Sequence, residues 1–293
     1  MISFTRTHCE DIDFKQCQAL FGKISVVVVN EEQGEVKEII EVRNEPNKHK
    51  YAHVVFSNNL LGGSTLEGGS EQEVNLFLTH PECIAGMAFC EGMSVNEAII
   101  IQGARQYTET TISDRKLKCV GLCTDPGANV LITRKTGTIG HQPGAGHLAK
   151  TFICIDATDF AADRLEQFHE DWIHCELVKA YAGFSAKLAD SEIPDTIVTG
   201  NWGCGAECGD RKLKAVIQLM ACAAAKKNLY YCCEGDQELL TQLTQLSTQI
   251  KAKKDLTVAQ LFERVTARAK ICAETKRDFD LKDLLVQEAS KTG

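Results

Sequence analysis

Short β-branched runs alternate along this chain with longer stretches of helical periodicity. Ile24 to Val29, Ile39 to Val42, Ala52 to Phe56, Ala98 to Gln102, Phe152 to Asp156, Thr196 to Thr199 and Asn228 to Cys233 are apolar runs of strand length. Between them, Glu71 to Leu78 predicts a short helix closed by Pro81, and Arg164 to Phe184 a longer one. Lys212 to Lys227 is Ala-rich with one apolar side, the pattern of a buried helix. Further helices start at Gln237 and at Thr257, where Thr257 and Gln260 have capping-box spacing. Strands that alternate with helices predict an α/β fold, with a mixed central sheet covered on both faces in three α/β/α layers. Residues 1–293 read as one domain, with 1–23 as an N-terminal extension. Leu117 to Lys150 is the least regular stretch, and Gly137 to Gly146, with Pro143, reads as a mobile loop or lid.

Composition narrows the functional classes. A formal net charge of −8 argues against a nucleic-acid-binding face, which needs clustered Lys and Arg to displace counterions. Met1 to Asp13 lacks the basic-then-apolar order of a secretory signal. No apolar stretch approaches the ~18 residues of a membrane span. The 14 cysteines sit largely in apolar strings, as at Cys154 and Cys222, and read as free thiols of a reducing compartment. The expectation is a cytosolic or nuclear protein with neither membrane nor direct nucleic-acid contacts.

Two glycine-rich segments carry the chemistry. The second, Gly200 to Asp210, reads Gly-Asn-Trp-Gly-Cys-Gly-Ala-Glu-Cys-Gly-Asp between a strand and a helix. N–H groups and the helix dipole favour phosphate at such a place, and Gly203, Gly205 and Gly209 allow close approach. An ordinary Gly-rich turn is the alternative; Walker and Rossmann spacings are both absent. The first segment runs Gly62-Gly63-Ser64 to Gly68-Gly69-Ser70 and on to Glu71-Gln72-Glu73-Val74. Its carboxylates can serve a catalytic site, or Ser70 and Glu73 can form a capping box with no catalysis at all. Cys204-x₃-Cys208 and Cys119-x₃-Cys123 lack zinc spacing, so neither a metal nor another cofactor is expected.

Both loops resemble those of the poly(ADP-ribose) glycohydrolase branch of the macrodomain superfamily. The resemblance extends through Asn58-Asn59-Leu60-Leu61-Gly62-Gly63, Gln72-Glu73, Phe77-Leu78, Pro81-Glu82, Gln106-Tyr107, Ile155-Asp156-Ala157, Lys179 to Phe184 and Leu256-Thr257-Val258. It implies a macrodomain fold and an ADP-ribose ligand carried on a modified protein. It also implies roles: Asn58, Gly62, Gly63 and Ser64 at the distal ribose, with Gln72 and Glu73 in the same pocket. Gly203, Gly205 and Ala206 would cradle the diphosphate, Asn201 would brace that loop, Tyr107 would stack on adenine, and Glu45 would accept from its amino group.

The chain departs from that family at three places. Val74 stands where the family has the Glu that protonates the leaving ribose oxygen. Glu207 stands where it has a Phe beside the scissile ribose, and Glu234 falls at a stacking Phe. Cleaving a ribose–ribose bond needs a proton donor worth ~10²–10⁴ in rate, and valine donates none. An arginine-linked ADP-ribose already carries its proton on the guanidinium and leaves as neutral guanidine. Glu207 could grip that guanidinium. The expected activity is therefore an arginine-directed mono-ADP-ribosyl hydrolase with Gln72, Glu73 and Glu207 as its catalytic set and water as second substrate. A non-catalytic ADP-ribose reader, or a poly(ADP-ribose) glycohydrolase whose acid has moved to Glu71 or Glu73, are the alternatives.

Overall fold

A computed structural model describes residues 2–10, 12–27, 51–113, 116–123, 131–132, 147–148, 150–188 and 192–285. Its strands are β1 (Ser3–His8), β2 (Ile24–Val27), β3 (Tyr51–Ser57), β4 (Glu97–Gln102), β5 (Thr108–Ser113), β6 (Lys116–Leu122), β7 (Leu131–Ile132), β8 (His147–Leu148), β9 (Thr151–Asp156), β10 (Thr196–Thr199) and β11 (Asn228–Cys232). Its helices are α1 (Gln72–Thr79), α2 (Glu170–Phe184), α3 (Arg211–Ala224), α4 (Gln237–Ala252) and α5 (Val258–Thr275). Seven strands form one sheet in the order β1-β4-β9-β3-β10-β11-β2. From β9 to β2 the pairing is parallel, while β4 runs antiparallel to both β9 and β1.

Period-2 alternation sorts the central strands between two cores. Val54, Ile100, Ile153 and Ile155 point into a large core with α2, α3, α4 and α5. Val55, Ile99, Ile101, Phe152 and Cys154 point to the other face, against Leu61, Phe77 and Cys83. Strands buried on both faces read as unbroken apolar runs, which is why they stand out in the sequence. The result is the expected three-layer α/β/α architecture on a mixed sheet.

Several boundaries differ from the pattern-based expectation. Residues 3–8, read as part of an extension, form the edge strand β1, paired with β4 from Ser3↔Gln102 to His8↔Glu97. The helix expected from Arg164 is a 3-10 turn at Glu166–Phe168, then an extended His169, then α2. The irregular stretch from Leu117 contains β6, which makes a hairpin with β5. The capping box at Thr257 and Gln260 is formed at the start of α5. The strand expected at Ile39 to Val42, residue Glu45 and the Gly137 to Gly146 loop lie outside the described residues.

Candidate functional site

Parallel strands β9, β3, β10 and β11 end on one edge of the sheet, the place where open α/β sheets bind ligands. The loops after those strands touch one another there. A Cβ on Gly200 would stand 3.0 Å from the Cys232 carbonyl oxygen and 3.7 Å from the Phe56 ring, and one on Gly203 would stand 2.6 Å from Ala157 Cβ. The second glycine loop thus starts beside the end of β3, the strand that leads into the first.

On the β3 side, Glu73 is only 1% exposed and belongs to the first turn of α1. Its Oε1 accepts from the Ser57 hydroxyl and from the Gly62 N–H at 2.8 Å, while Oε2 accepts from the Asn58 N–H at 3.4 Å. Burial raises its pKa above the ordinary carboxylate value, and the hydrogen bonds from Ser57, Gly62 and Asn58 oppose that rise. Gly62 and Gly63 have φ of +89° and +43°, the left-handed region. A Cβ on Gly63 would collide with the Asn58 side chain and stand 3.1 Å from Glu73 Oε2. Asn58, Gly63 and Glu73 are therefore packed together.

Neighbouring positions are used differently from expectation. The N-cap of α1 is Glu71, which makes no side-chain cap bond, and Glu73 turns inward, so no capping box forms with Ser70. Ser64 donates to Glu71 at 2.8 Å and ties the loop to the helix start. Gln72, assigned to the catalytic set, has a bracing position: its Oε1 accepts from the Phe56 N–H at 2.9 Å and its Nε2 donates to the Val54 carbonyl at 3.0 Å. Pairing of β3 with β10 ends at His53↔Val198, and Gln72 takes β3 backbone groups just beyond that point. Both polar atoms of this amide are thus engaged by the β3 backbone. Val74 is buried, at 1% exposure.

The second loop is a nest of amides. Gly209 N–H closes back onto the Gly203 carbonyl at 2.9 Å, and Cys208 N–H onto Gly205 at 3.2 Å. The N–H groups of Gly203, Gly205, Ala206 and Glu207 donate to nothing among the described residues. Backbone N–H groups left free in a glycine-rich loop favour an anion. The helix behind the loop contributes less than its position suggests. Asp210 caps α3 and its Oδ1 already accepts from Lys212 and Leu213 N–H, both at 2.9 Å. Asn201 braces the loop as implied, donating to Glu234 at 3.0 Å and accepting from the Tyr231 hydroxyl at 3.2 Å.

Glu207 lies on the outer turn of this loop, its Oε2 3.8 Å from a Cβ position on Gly205, and its carbonyl oxygen accepts from Phe160 N–H at 2.9 Å. Its carboxylate has no hydrogen-bond partner among the described residues. Tyr107 stands apart from Glu73, at the other end of α1. Its N–H bonds to Thr79 at the far end of α1, about 9 Å along the axis from Glu73. Its hydroxyl donates to Glu82 at 3.3 Å, and the Arg105 guanidinium lies 5.3 Å from its ring centre. Tyr107 is 42% exposed, so it does not fill the core.

Two groups went unnoticed in the sequence. Ser57, the last residue of β3, is the hydroxyl that grips Glu73; its position one residue before Asn58 was the available signal. Lys214, on α3 below the second loop, is buried at 1% exposure and forms an ion pair with Glu176. Nothing in a periodicity reading marks a lysine as buried. Among the described residues, no group of three or more His, Cys, Asp or Glu could hold a metal, and no helix is long and apolar enough to cross a membrane.

The chain is similar to several known proteins. A sequence model of the family described as poly(ADP-ribose) glycohydrolase, macro domain fold, matches residues 27–241. Poly(ADP-ribose) glycohydrolase 1 of Caenorhabditis elegans is 36% identical over 217 residues, covering 72% of this chain and 26% of that protein. Poly(ADP-ribose) glycohydrolase 2 of the same organism is 31% identical over 212 residues, 71% of this chain and 42% of that one. The chain thus spans less than half the length of these relatives. The poly(ADP-ribose) glycohydrolase of Thermomonospora curvata, solved with the inhibitor ADP-HPD, overlays with a TM-score of 0.41 at 14% identity, covering 73% of this chain and 74% of that one. With a family match over most of its length, the chain belongs to the poly(ADP-ribose) glycohydrolase family, with the macro domain fold.

Proposed function

We propose that this chain hydrolyses the bond between ADP-ribose and the arginine side chain of a modified protein. ADP-ribose hydrolysis in general follows from the family and from two glycine loops, one with an amide nest and the other with a buried carboxylate. The finer choice of linkage rests on one observation: Val74, where the resemblance implies the proton donor, is an apolar side chain buried beside Glu73.

In the proposed step the diphosphate lies on the N–H groups of Gly203, Gly205 and Ala206, and the distal ribose against Gly63 and Asn58. The C1″–N bond breaks and its electron pair leaves with the guanidine, which departs neutral because the guanidinium entered with its own proton. Glu73 takes a proton from the attacking water as the C1″–O bond forms, and bulk solvent reprotonates the guanidine. A raised pKa suits that base, since its proton affinity approaches the working pH. Glu207, unpaired on the loop rim, would hold the guanidinium and orient it.

The test is a gain of function. Val74→Glu restores a donor and should add cleavage of poly(ADP-ribose), by a factor on the order of 10²–10⁴ over the unmodified chain. An unmodified chain that already cleaves polymer as fast as arginine linkages would overturn this choice, and would favour the reading in which Glu73 itself supplies the proton. That second reading has the raised pKa of Glu73 in its favour.

A further inference from the structure

Under the second glycine loop lies a set of charges that the proposed chemistry does not use. Lys214 forms an ion pair with Glu176, which also accepts from Lys179 at 3.4 Å and from Thr158 through both its hydroxyl at 2.6 Å and its N–H at 3.0 Å. Lys179 in turn meets Asp156, at the end of β9, at 3.2 Å. Glu176, Lys179 and Lys214 are all buried, whereas the Asp156 side chain is 24% exposed. In the buried part of the set two ammonium groups therefore share one carboxylate, and the second carboxylate is partly screened by water. Buried ion pairs seldom add stability over an apolar filling, so their presence here calls for another reason.

The location supplies one. The Lys214 ammonium sits 4.1 Å from the centre of the Trp202 ring, and Trp202 is fixed by its indole N–H to the Ile155 carbonyl at 3.3 Å. Above it are two glycines. A Cβ on Gly203 would stand 2.9 Å from Lys214 Nζ, and one on Gly209 would stand 2.9 Å from Lys214 Cε. Glycine at both positions lets the loop backbone lie directly on the ammonium end of the lysine. Gly203 is also where the free amides begin, and the N-terminal amides of α3 are taken by Asp210. The buried cation beneath Gly203 and Gly209 is therefore Lys214, while Arg164 reaches the outer turn of the loop at Cys208 Sγ, 3.3 Å away.

We infer that Lys214 is a positioning residue for diphosphate binding: a buried cation, held by Glu176, that makes the Gly203 to Glu207 amides an anion cradle without touching the ligand. This inference rests on the reading of the loop as the diphosphate site. Burial lowers the pKa of Lys214 to about 7, opposed by Asp156. An anion settling on the loop would favour its charged form.

Lys214→Met keeps the length and the packing on Trp202, and leaves Glu176 paired with Lys179 and Thr158. Binding of ADP-ribose and of adenosine, which has no phosphate, is measured on the same protein by NMR titration. ADP-ribose affinity should fall on the order of tenfold or more, with adenosine affinity within about twofold of the unmodified chain. Lys214→Gln, whose amide can still donate to Glu176, should show the same phosphate-specific loss and serves if the methionine variant does not fold. Equal losses for both ligands, unchanged ADP-ribose affinity, or loss of the fold in both variants would assign Lys214 to the core and overturn the inference. If the unmodified chain does not bind ADP-ribose, the reading of the loop itself fails, a result separate from any outcome of the variants.

Discussion

The two glycine loops solve opposite electrostatic problems with the same device. In the first, Gly62 and Gly63 bring backbone and the Asn58 side chain against a buried anion, Glu73. In the second, Gly203 and Gly209 bring backbone against a buried cation, Lys214. An anion ringed by donors suits proton transfer and ribose contacts; a cation beneath free amides suits phosphate. Both loops depart from the pattern the resemblance implies, the first at Val74 and the second at Glu207, while the second keeps its glycines and its brace, Asn201. The proposed division of ligand binding and bond cleavage predicts that substitutions can set one loop against the other.

The largest effect is expected from Glu73→Gln. It keeps the shape but removes the base, so turnover should drop on the order of 10²–10⁴ while calorimetric ADP-ribose affinity changes little. Equal losses in both would show that the loops do not divide the work. Next is Gly63→Ala, where a left-handed φ costs about 1–2 kcal/mol for any side chain and the new methyl collides with Asn58. Activity should fall with affinity for the ribose end, and the melting temperature with it. On the other loop, Gly203→Ala separates Lys214 from the backbone and should weaken ADP-ribose binding about tenfold while leaving adenosine binding near that of the unmodified chain.

A smaller effect concerns pH. In the proposed step Glu73 works in its ionised form, and burial raises its folded pKa, so the acid limb of kcat/KM should lie above the ordinary Glu range. Ser57 lowers that pKa, so Ser57→Ala should move the limb to still higher pH. The same sign applies to stability: ionising Glu73 costs folded-state free energy, so its contribution declines as pH rises from the unfolded pKa through the folded one. A limb that stays put in Ser57→Ala would mean that another group titrates. The smallest effect is expected far from both loops: Thr257→Ala removes the capping box of α5, at about 1 kcal/mol, with the ratio of polymer to arginine cleavage unchanged.

Much of this architecture can be read from the chain. Strands β3, β4, β9, β10 and β11 are legible because doubly buried strands are uniformly apolar, and α3 and α5 because Ala-rich and capped helices announce themselves. Edge strand β1, Ser-Phe-Thr-Arg-Thr-His, is less apolar and hid in a supposed extension. In the site, Glu73 was legible as a residue but not in its orientation. Ser70 offered it a local capping role, and tertiary bonds to Ser57 and Gly62 won. The place of Tyr107 was not legible, because sequence motifs carry no distance: the length of α1 separates it from Glu73. Lys214 was invisible because its burial depends on Glu176 and Trp202, remote in sequence from one another and joined only by the fold.

The central claim is that Val74 redirects a retained ADP-ribose pocket from ribose–ribose bonds to arginine linkages. Its most direct test is release of free ADP-ribose from arginine-modified protein, serine-modified protein and poly(ADP-ribose), assayed in parallel for the unmodified chain and for Val74→Glu. Release from arginine alone by the unmodified chain, with polymer cleavage added by Val74→Glu, is the predicted result. Polymer cleavage by the unmodified chain, unchanged by Val74→Glu, would contradict it.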